Sequence, residues 1–567
     1  MRISSDRDGW PVVLTADRTL MADYPTLFDG IMGTVQTRVV PEFIMRRFIC
    51  PPAPRDGLRV RKAPLGLRRV EAALRRDGFS EADLIIVAPE DLPQAVGRRT
   101  RIIAVASGDP FGLGMSNTTM ADMAGGQLYT ARWYDALLRQ IRQLKDRLGF
   151  RIVAGGAGAW QFAFRPEQRD ALGVDTVVSG YAEGIVGNLF RRILAGESAP
   201  PLVNAGSLAA QDIPATAGAT SMGVVEISRG CGKGCDFCTV AREPMTHLPE
   251  ATILADAQTN LARGVDSLAL VSEDVFRYGA ASHAGDVNPA ALKSLARKVR
   301  ALRGLRIIQL DHANIISAAR FSDDDLREVA ATLTEGQRHR FLWINLGVET
   351  ASGDLLDRNA RGGKIRPWKP DAWAALCEET CRRMTRAGFF PFVSLILGLP
   401  GETPDDVRQT VRLVERLYRE RLCIFPIFHA PVQPDSGKPF AIADMTADHW
   451  RLFRLSYDLN FRWIPSLFWD NQAAAGVGAA KRLFIQVTGR LQRLQWKTRF
   501  AWMAKKLREP GPPEIPDAPH DDIADKSGAL RSPNAILPPC GDQPVRATRS
   551  TPARGSSSAI PKRSLQA

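Results

Sequence analysis

Histidine is scarce in this chain: there are seven in 567 residues, and none precedes His247. The N-terminal part therefore offers no imidazole as a base or a metal ligand. Eight cysteines make no disulfide scaffold at this length, and Cys50, Cys377, Cys381, Cys423 and Cys540 are scattered. Long apolar runs are missing too, none approaching the ~20 residues that span a bilayer. The opening Met-Arg-Ile-Ser-Ser-Asp-Arg-Asp has no apolar signal core. Both features lead us to expect a cytoplasmic protein without a transmembrane segment. Beyond Glu509 aromatics almost vanish and Pro, Ser, Ala and Arg take over, so residues 510–567 read as a disordered tail.

What is present suits an ordinary globular protein of two or three domains, with 45% apolar and 24% charged residues. The net charge of +14 owes much to Lys481, Arg482, Arg490, Arg493, Lys497, Arg499, Lys505, Lys506 and Arg508. A solvated basic helix and tail is the plain reading; nucleic acid or a membrane surface are the alternatives.

Residues 1–200 alternate short apolar strands (Pro11–Leu14, Ala82–Val87, Arg101–Ala106, Arg151–Ala154, Thr176–Val178) with helical patterns (Leu67–Arg76, Ala131–Leu148, Glu183–Leu194). This implies an α/β, doubly wound, Rossmann-like domain whose ligands bind at the carboxyl ends of the strands. Residues 201–222 look like a linker. From 223 to 430 six strands are expected, at Gly223–Ser228, Ser267–Ser272, Leu305–Asp311, Phe341–Val348, Phe392–Leu397 and Cys423–Phe428. Asn288-Pro289, Ser322 to Asp325 and Thr403 to Asp406 signal helix starts between them. Six β/α units in series imply a partial (β/α)6 barrel with its active site at the carboxyl edge. Residues 431–509 read as mainly helical, with Trp450, Trp463, Trp469, Trp496 and Trp502 chiefly packing against the barrel.

The densest chemistry is Gly230-Cys231-Gly-Lys-Gly-Cys235-Asp-Phe-Cys238, directly after the first barrel strand. Glycines let so short a loop wrap three thiolates round one centre. Zinc would want a fourth ligand and usually pairs two C-x2-C halves; no second half exists here. Three thiolates on a four-iron cube leave one iron open for chemistry. Cys377 and Cys381, one helical turn apart, are expected to be buried structural residues.

This loop resembles that of the radical S-adenosylmethionine (AdoMet) enzymes, also called radical SAM. Later segments match the family at the expected strand ends. They are Ser272-Glu273-Asp274 (which lacks the family's glycines), Gly347-Val-Glu349-Thr-Ala-Ser352 and Ser394-Leu-Ile-Leu-Gly398-Leu-Pro-Gly401. The resemblance implies a 4Fe-4S cluster on Cys231, Cys235 and Cys238. It implies AdoMet contacts from Phe237, Ser272, Glu273, Asp274, Glu349, Ser394 and Gly398. It also implies reductive cleavage to a 5′-deoxyadenosyl radical that abstracts hydrogen from an organic substrate, fed by a low-potential donor such as flavodoxin or ferredoxin. His312 and Tyr278 are candidates for proton or hydrogen donors, with structural roles as the alternative.

The doubly wound first domain resembles that of the cobalamin-binding class of the same superfamily. Asp109, Gly112, Gly114, Gly155 and Gly156 are the candidate cobalamin contacts, although the signature Asp-x-His-x-x-Gly is absent and no histidine can serve as lower ligand. The same glycines also suit close packing. The favoured function is thus a radical AdoMet enzyme on a small-molecule or lipid-like substrate, with cobalamin-dependent methyl transfer or ring formation within its reach. The alternatives are a cobalamin-independent enzyme modifying RNA or protein, and a non-catalytic iron–sulfur or zinc protein. The tRNA methylthiotransferases carry a further cysteine trio in their first domain, where this chain has Cys50 alone.

Overall fold

Val12–Ala16 (β1) is buried along its whole length, as a strand must be when helices cover both faces of a parallel sheet. It is joined by Leu84–Ile86 (β2), Ile102–Ala106 (β3), Arg151–Gly155 (β4), Thr176–Ser179 (β5) and Leu202–Asn204 (β6) in the order β2-β1-β3-β4-β5-β6. Every pair is parallel. Helices Leu65–Arg76 (α1) and Val186–Leu194 (α4) pack on one face through Leu67, Leu74, Leu189 and Phe190. Tyr129–Leu148 (α3) packs on the other through Tyr134, Leu138 and Ile141. Between β2–β1 and β3 the winding reverses, which in an open α/β sheet opens a ligand crevice above the carboxyl ends. The computed structural model describes residues 8–30, 33, 35–281, 286–337 and 341–506. The tail expected to be disordered, with Cys540, lies outside the described residues.

Residues 201–222, expected as a linker, are built into the fold. Leu202–Asn204 supplies the sheet's last strand, and Ala219–Thr220 pairs with Lys62–Ala63. Thr216 and Thr220 donate to Asp256 and Asn260 on Glu250–Ala262 (α5).

The second sheet system runs Val224–Glu226 (β7), Ser267–Val271 (β8), Ile307–Leu310 (β9), Leu342–Glu349 (β10), Phe389–Leu397 (β11) and Cys423–Phe428 (β12). All pairs in it are parallel. Asp311 breaks the third strand, and His312–Asn314 carries the ladder on to β10. Alternate residues such as Ile344, Leu346, Val393 and Leu395 join the core under the outer helices. Those helices start where the capping residues say. Asn288 caps Pro289–Arg300 (α6), Ser322 caps Asp323–Thr334 (α7), and Thr403 with Asp406 forms a capping box on Pro404–Leu417 (α10). Gly353–Ala360 (α8) and Trp373–Arg386 (α9) complete the set, and Cys377 and Cys381 are fully buried in α9's core face.

The concave face is filled at its lower level by Trp343, Phe390 and Phe392, against which pack Phe28 from the N-terminal segment and Phe468. Phe468 belongs to Ala447–Ala474 (α11), which turns back into Ala479–Lys506 (α12). Of the five C-terminal tryptophans, Trp450 and Trp496 are buried and Trp463 packs on the core. Trp469 and Trp502 face outward at 38% and 62% exposure, so the expectation of packing fails for those two.

Candidate active site

Just beyond β7, Ser228–Arg229 pairs antiparallel with Thr246–His247, making a clamp round the cysteine loop. Gly230, Gly232 and Gly234 take φ of 74, 71 and 76°, left-handed values that favour glycine. A Cβ on Gly230 would lie 2.3 Å from the Pro244 carbonyl oxygen. The loop's backbone is tied down at several points. Cys231 N donates to Glu243 O at 2.9 Å, Gly234 N to Ala241 O at 2.8 Å and Asp236 N to Asn359 O at 2.9 Å. Arg277 Nη1 donates to Cys231 O at 2.7 Å.

Burial pushes all three thiols up, Cys235 to about 12 and Cys238 to about 11, and the neighbouring Cys231 raises both of these further. Two buried cations oppose this. Lys364 pairs with Glu349 and stands 5.8 Å from the Phe237 ring centroid. Lys233 Nζ, within the loop, is buried without a hydrogen-bond partner among the described residues. Burial pulls Lys233 down while Asp274 and the Cys231 sulfur hold it up. Three thiols beside two enclosed cations suit an anionic centre, since metal binding releases the thiol protons. Among the described residues no three His, Cys, Asp or Glu side chains gather as round one ion.

Glu349 lies at the end of β10, after an irregularity between Gly347 and Glu349. Its φ of 66° is a conformation that non-glycine residues adopt at a cost and that clusters at functional sites. Its carboxylate accepts from Lys364 and, at 3.2 Å, from Ser394 on β11. Ser272 bonds Ser228 side chain to side chain across the β7–β8 ladder. Glu273 is partly exposed, and its carboxyl is raised by burial with the His312 charge opposing. His312 pairs with Asp311 at 2.7 Å. Burial alone would lower its pKa, but Asp311, then Glu273 and Glu349, lift it to about 9. Half of the His312 side chain still meets solvent, as expected for a group lining a concave mouth.

Two of the expected contacts, Asp274 and Gly398, and the donor candidate Tyr278 are also engaged by their own protein neighbours. The Asp274 carboxylate is fully buried and accepts from Asn314 N and Ser317 Oγ. Gly398 packs against Phe440, where a Cβ would lie 2.2 Å from the ring, and its N–H donates to Glu402. Tyr278 sits in the core, edge-on to His247 at 5.8 Å.

The cobalamin candidates lie on the carboxyl edge of the first sheet, yet several are used internally. Asp109 accepts from Gly114 N, Asn117 Nδ2 and Gln161 Nε2. A Cβ on Gly156 would meet Ser107 O at 2.9 Å, and one on Gly114 would meet Asp109 at 2.9 Å. Gly155 and Gly112 leave ordinary contact distances, 3.6 Å or more. The same edge presents side-chain-free, exposed backbone at Gly108, Gly156 and Gly180. It fits a ligand held by backbone and shape, with no imidazole for a metal.

Composition gave no sign of how the first domain grips the cysteine loop. Arg229, two residues before Cys231, is buried between Glu226 (2.6 Å) and Glu183 of the first domain (3.1 Å), with its guanidinium 4.2 Å from the Tyr181 ring centroid. Arg69 of α1 reaches Asp256 at 2.6 Å and Glu226 at 3.5 Å. Met115–Ala124 (α2), which follows the β3 loop, accepts Phe428 N on Thr119 Oγ1 at 2.7 Å. The loops after β3 and β5 thus lie against the carboxyl edge of the barrel.

Residues 225–414 match the family model described as Radical SAM superfamily, in line with the resemblance carried by the cysteine loop. The family implies a 4Fe-4S cluster and AdoMet. The chain is similar to the ribosomal protein uS12 methylthiotransferase RimO of Pelobacter propionicus, 23% identical over 47% of this chain and 56% of that protein. It is also similar to the tRNA-2-methylthio-N(6)-dimethylallyladenosine synthase of Magnetococcus marinus, 26% identical over 42% of this chain and 51% of the other. The chain therefore spans about half the length of the curated relatives it matches. Among solved structures it is similar to the radical S-adenosylmethionine methyltransferase TsrM of Kitasatospora setae, at 15% identity and a TM-score of 0.48 over 74% of this chain and 75% of that one. The cobalamin-dependent radical enzyme OxsB gives 14% and 0.46 over 80% of this chain and 56% of that one. Among the described residues no helix is long and apolar enough to cross a membrane.

Proposed function

We propose that the chain cleaves AdoMet reductively at a 4Fe-4S cluster on Cys231, Cys235 and Cys238, and that the resulting 5′-deoxyadenosyl radical takes hydrogen from a small or lipid-like organic substrate. The observation that carries this reading is the clamped three-thiol loop at the carboxyl end of β7, with the buried Lys364–Glu349 pair beside it. When bound, the cluster supplies the electron that breaks the sulfonium C–S bond. The chain's part is placement. Phe237 and Lys364 wall the loop side, and Glu349 and Ser394 line the far strands. Glu273 and the Asp311–His312 pair stand at the mouth, where a protonated His312 holds a proton ready.

Cobalamin is the second part of the proposal, supported by the switch-point edge turned toward the cluster loop. When bound there it would supply a methyl group; the backbone at Gly108, Gly156 and Gly180 would carry it, and Asp109 would brace the loop. A second reading, modification of protein or RNA, draws on what the curated relatives are named for. Against it, Cys50 is buried with its sulfur 3.1 Å from the Tyr24 hydroxyl. It is the one cysteine among the described residues of the first domain, so that domain lacks the thiols for a second cluster.

The test is anaerobic reconstitution with iron and sulfide, with and without hydroxocobalamin, followed by AdoMet and dithionite. Expected are about four irons per chain, 5′-deoxyadenosine, and retained cobalamin absorbance after desalting. Cys235→Ala should lose both iron and cleavage. Stoichiometric zinc, or a full cluster without 5′-deoxyadenosine, would sink the radical reading; loss of all cobalamin on desalting would sink only its second part.

A further inference from the structure

Helix α12 carries eight Lys and Arg and no Asp or Glu. One side is buried: Trp496 and Phe500 lie 5.7 and 5.2 Å from Tyr457, ring centroid to centroid. Its opposite side is apolar as well. Leu483, Val487, Leu491 and Leu494 are 60, 51, 63 and 61% exposed. At about 100° per residue they fall within an arc of about 80°, facing away from Trp496 and Phe500. Arg490 and Lys497 border this stripe on one edge; on the other side Phe484 extends it, and Lys481 and Arg499 follow further round the helix. The surface continues onto the N-terminal segment, where Phe48 meets Phe484 at 5.3 Å and Phe43 is 68% exposed. Arg47 stands exposed beside Phe48.

We propose that α12, with the neighbouring 43–48 segment, docks the protein on an anionic lipid bilayer. Water disfavours so continuous an apolar surface. The lateral order of apolar centre and cationic borders is that of a helix lying in a membrane interface, aliphatic side chains toward the acyl boundary and cations among the headgroup phosphates. A second copy of the chain would bring identical cations face to face. A single-stranded nucleic acid would want stacked aromatics along a cationic groove, whereas the centre of this stripe is Leu and Val. The proposal stands whether or not the radical reading holds.

The experiment is co-sedimentation of the full chain with phosphatidylcholine vesicles, with and without phosphatidylglycerol. It compares the wild type with Leu491→Asp/Leu494→Asp and with Arg490→Glu/Lys497→Glu. These side chains are exposed, so unchanged circular dichroism and iron loading certify the fold. Expected is binding that needs phosphatidylglycerol, weakens with salt, and falls more than about 20-fold in each variant, since each cation at such a surface is worth about fivefold. Wild-type protein that stays in the supernatant would overturn the proposal. So would variants that bind like the wild type, or a wild-type dimer that the Asp variant converts to monomer without any vesicle binding. A loss of tRNA binding in the Glu variant, with vesicle binding intact, would point to RNA instead.

Discussion

Asp17, at the end of β1, is wholly buried and, among the described residues, accepts from neutral donors: Thr19 N and Oγ1, Leu20 N and Ser107 Oγ. Burial outweighs those bonds and lifts its pKa from 3.8 to about 6. The folded state therefore holds a proton that the unfolded state has lost between about pH 4 and 6. Across that window stability falls as pH rises, and above it the charged carboxylate is a constant cost of at most about 3 kcal/mol. Asp17→Asn keeps the acceptor for Thr19 and lets Ser107 accept from the new amide. It should stabilise the protein above pH 6 and be neutral near pH 4, as read from urea midpoints at several pH values. A constant difference across pH would refute the assignment. The thiol trio was legible in the sequence because its ligands are contiguous and its spacing carries the chemistry. Asp17 and Lys364 were not, because burial and tertiary approach give them their meaning.

At the level of elements, the cysteine loop depends on a turn far away in sequence. A Cβ on Gly363, just after α8, would lie 1.9 Å from the Lys233 carbonyl oxygen, a backbone contact that no rotamer change relieves. Gly363→Ala should therefore displace the loop and sharply lower iron loading while leaving helix content intact. Gly66→Ala on α1, where nothing lies within 4 Å, should change neither and gain a few tenths of a kcal/mol or more from helix propensity. Equal iron content in both proteins would show that the loop tolerates the shift. Element positions were largely readable, since capping residues and strand hydrophobicity are local signals. The misses are as instructive. Residues Met115–Ala124 form a helix without an apolar stripe and with Ser, Asn and Thr inside it; its fit against β12 comes from contacts such as Thr119 to Phe428. The strand Leu202–Asn204 has three residues and an exposed first position, too short for a periodicity to register.

For the whole molecule the question is what makes two sheets behave as one protein. The buried Arg69, Glu183, Glu226, Arg229 and Asp256 give the interface geometry, but desolvation offsets much of their attraction. Apolar burial is the stronger link, and Phe28 supplies it at one point. It leaves the first domain just beyond β1 and enters the barrel's concave face. There it lies 5.5 Å from Trp343, 5.7 Å from Phe392 and 5.0 Å from Phe468. On either side, Leu27 N donates to Gln309 and Asp29 accepts from Gln472. No pattern along the chain could announce this, because the partners lie hundreds of residues apart. Truncation to alanine opens a cavity lined by three aromatic rings, a change that costs about 3–5 kcal/mol in a packed core. If the plug also couples the domains, the wild type should unfold in one urea transition and Phe28→Ala in two. Tryptophan emission, to which Trp343 contributes, would shift at lower urea than far-UV circular dichroism from the first domain. Phe43→Ala, at an exposed position, serves as the control and should leave both probes coincident. If Phe28→Ala lowers the midpoint while the probes stay coincident, Phe28 stabilises the barrel without joining the domains, and the buried ion pairs must carry the coupling.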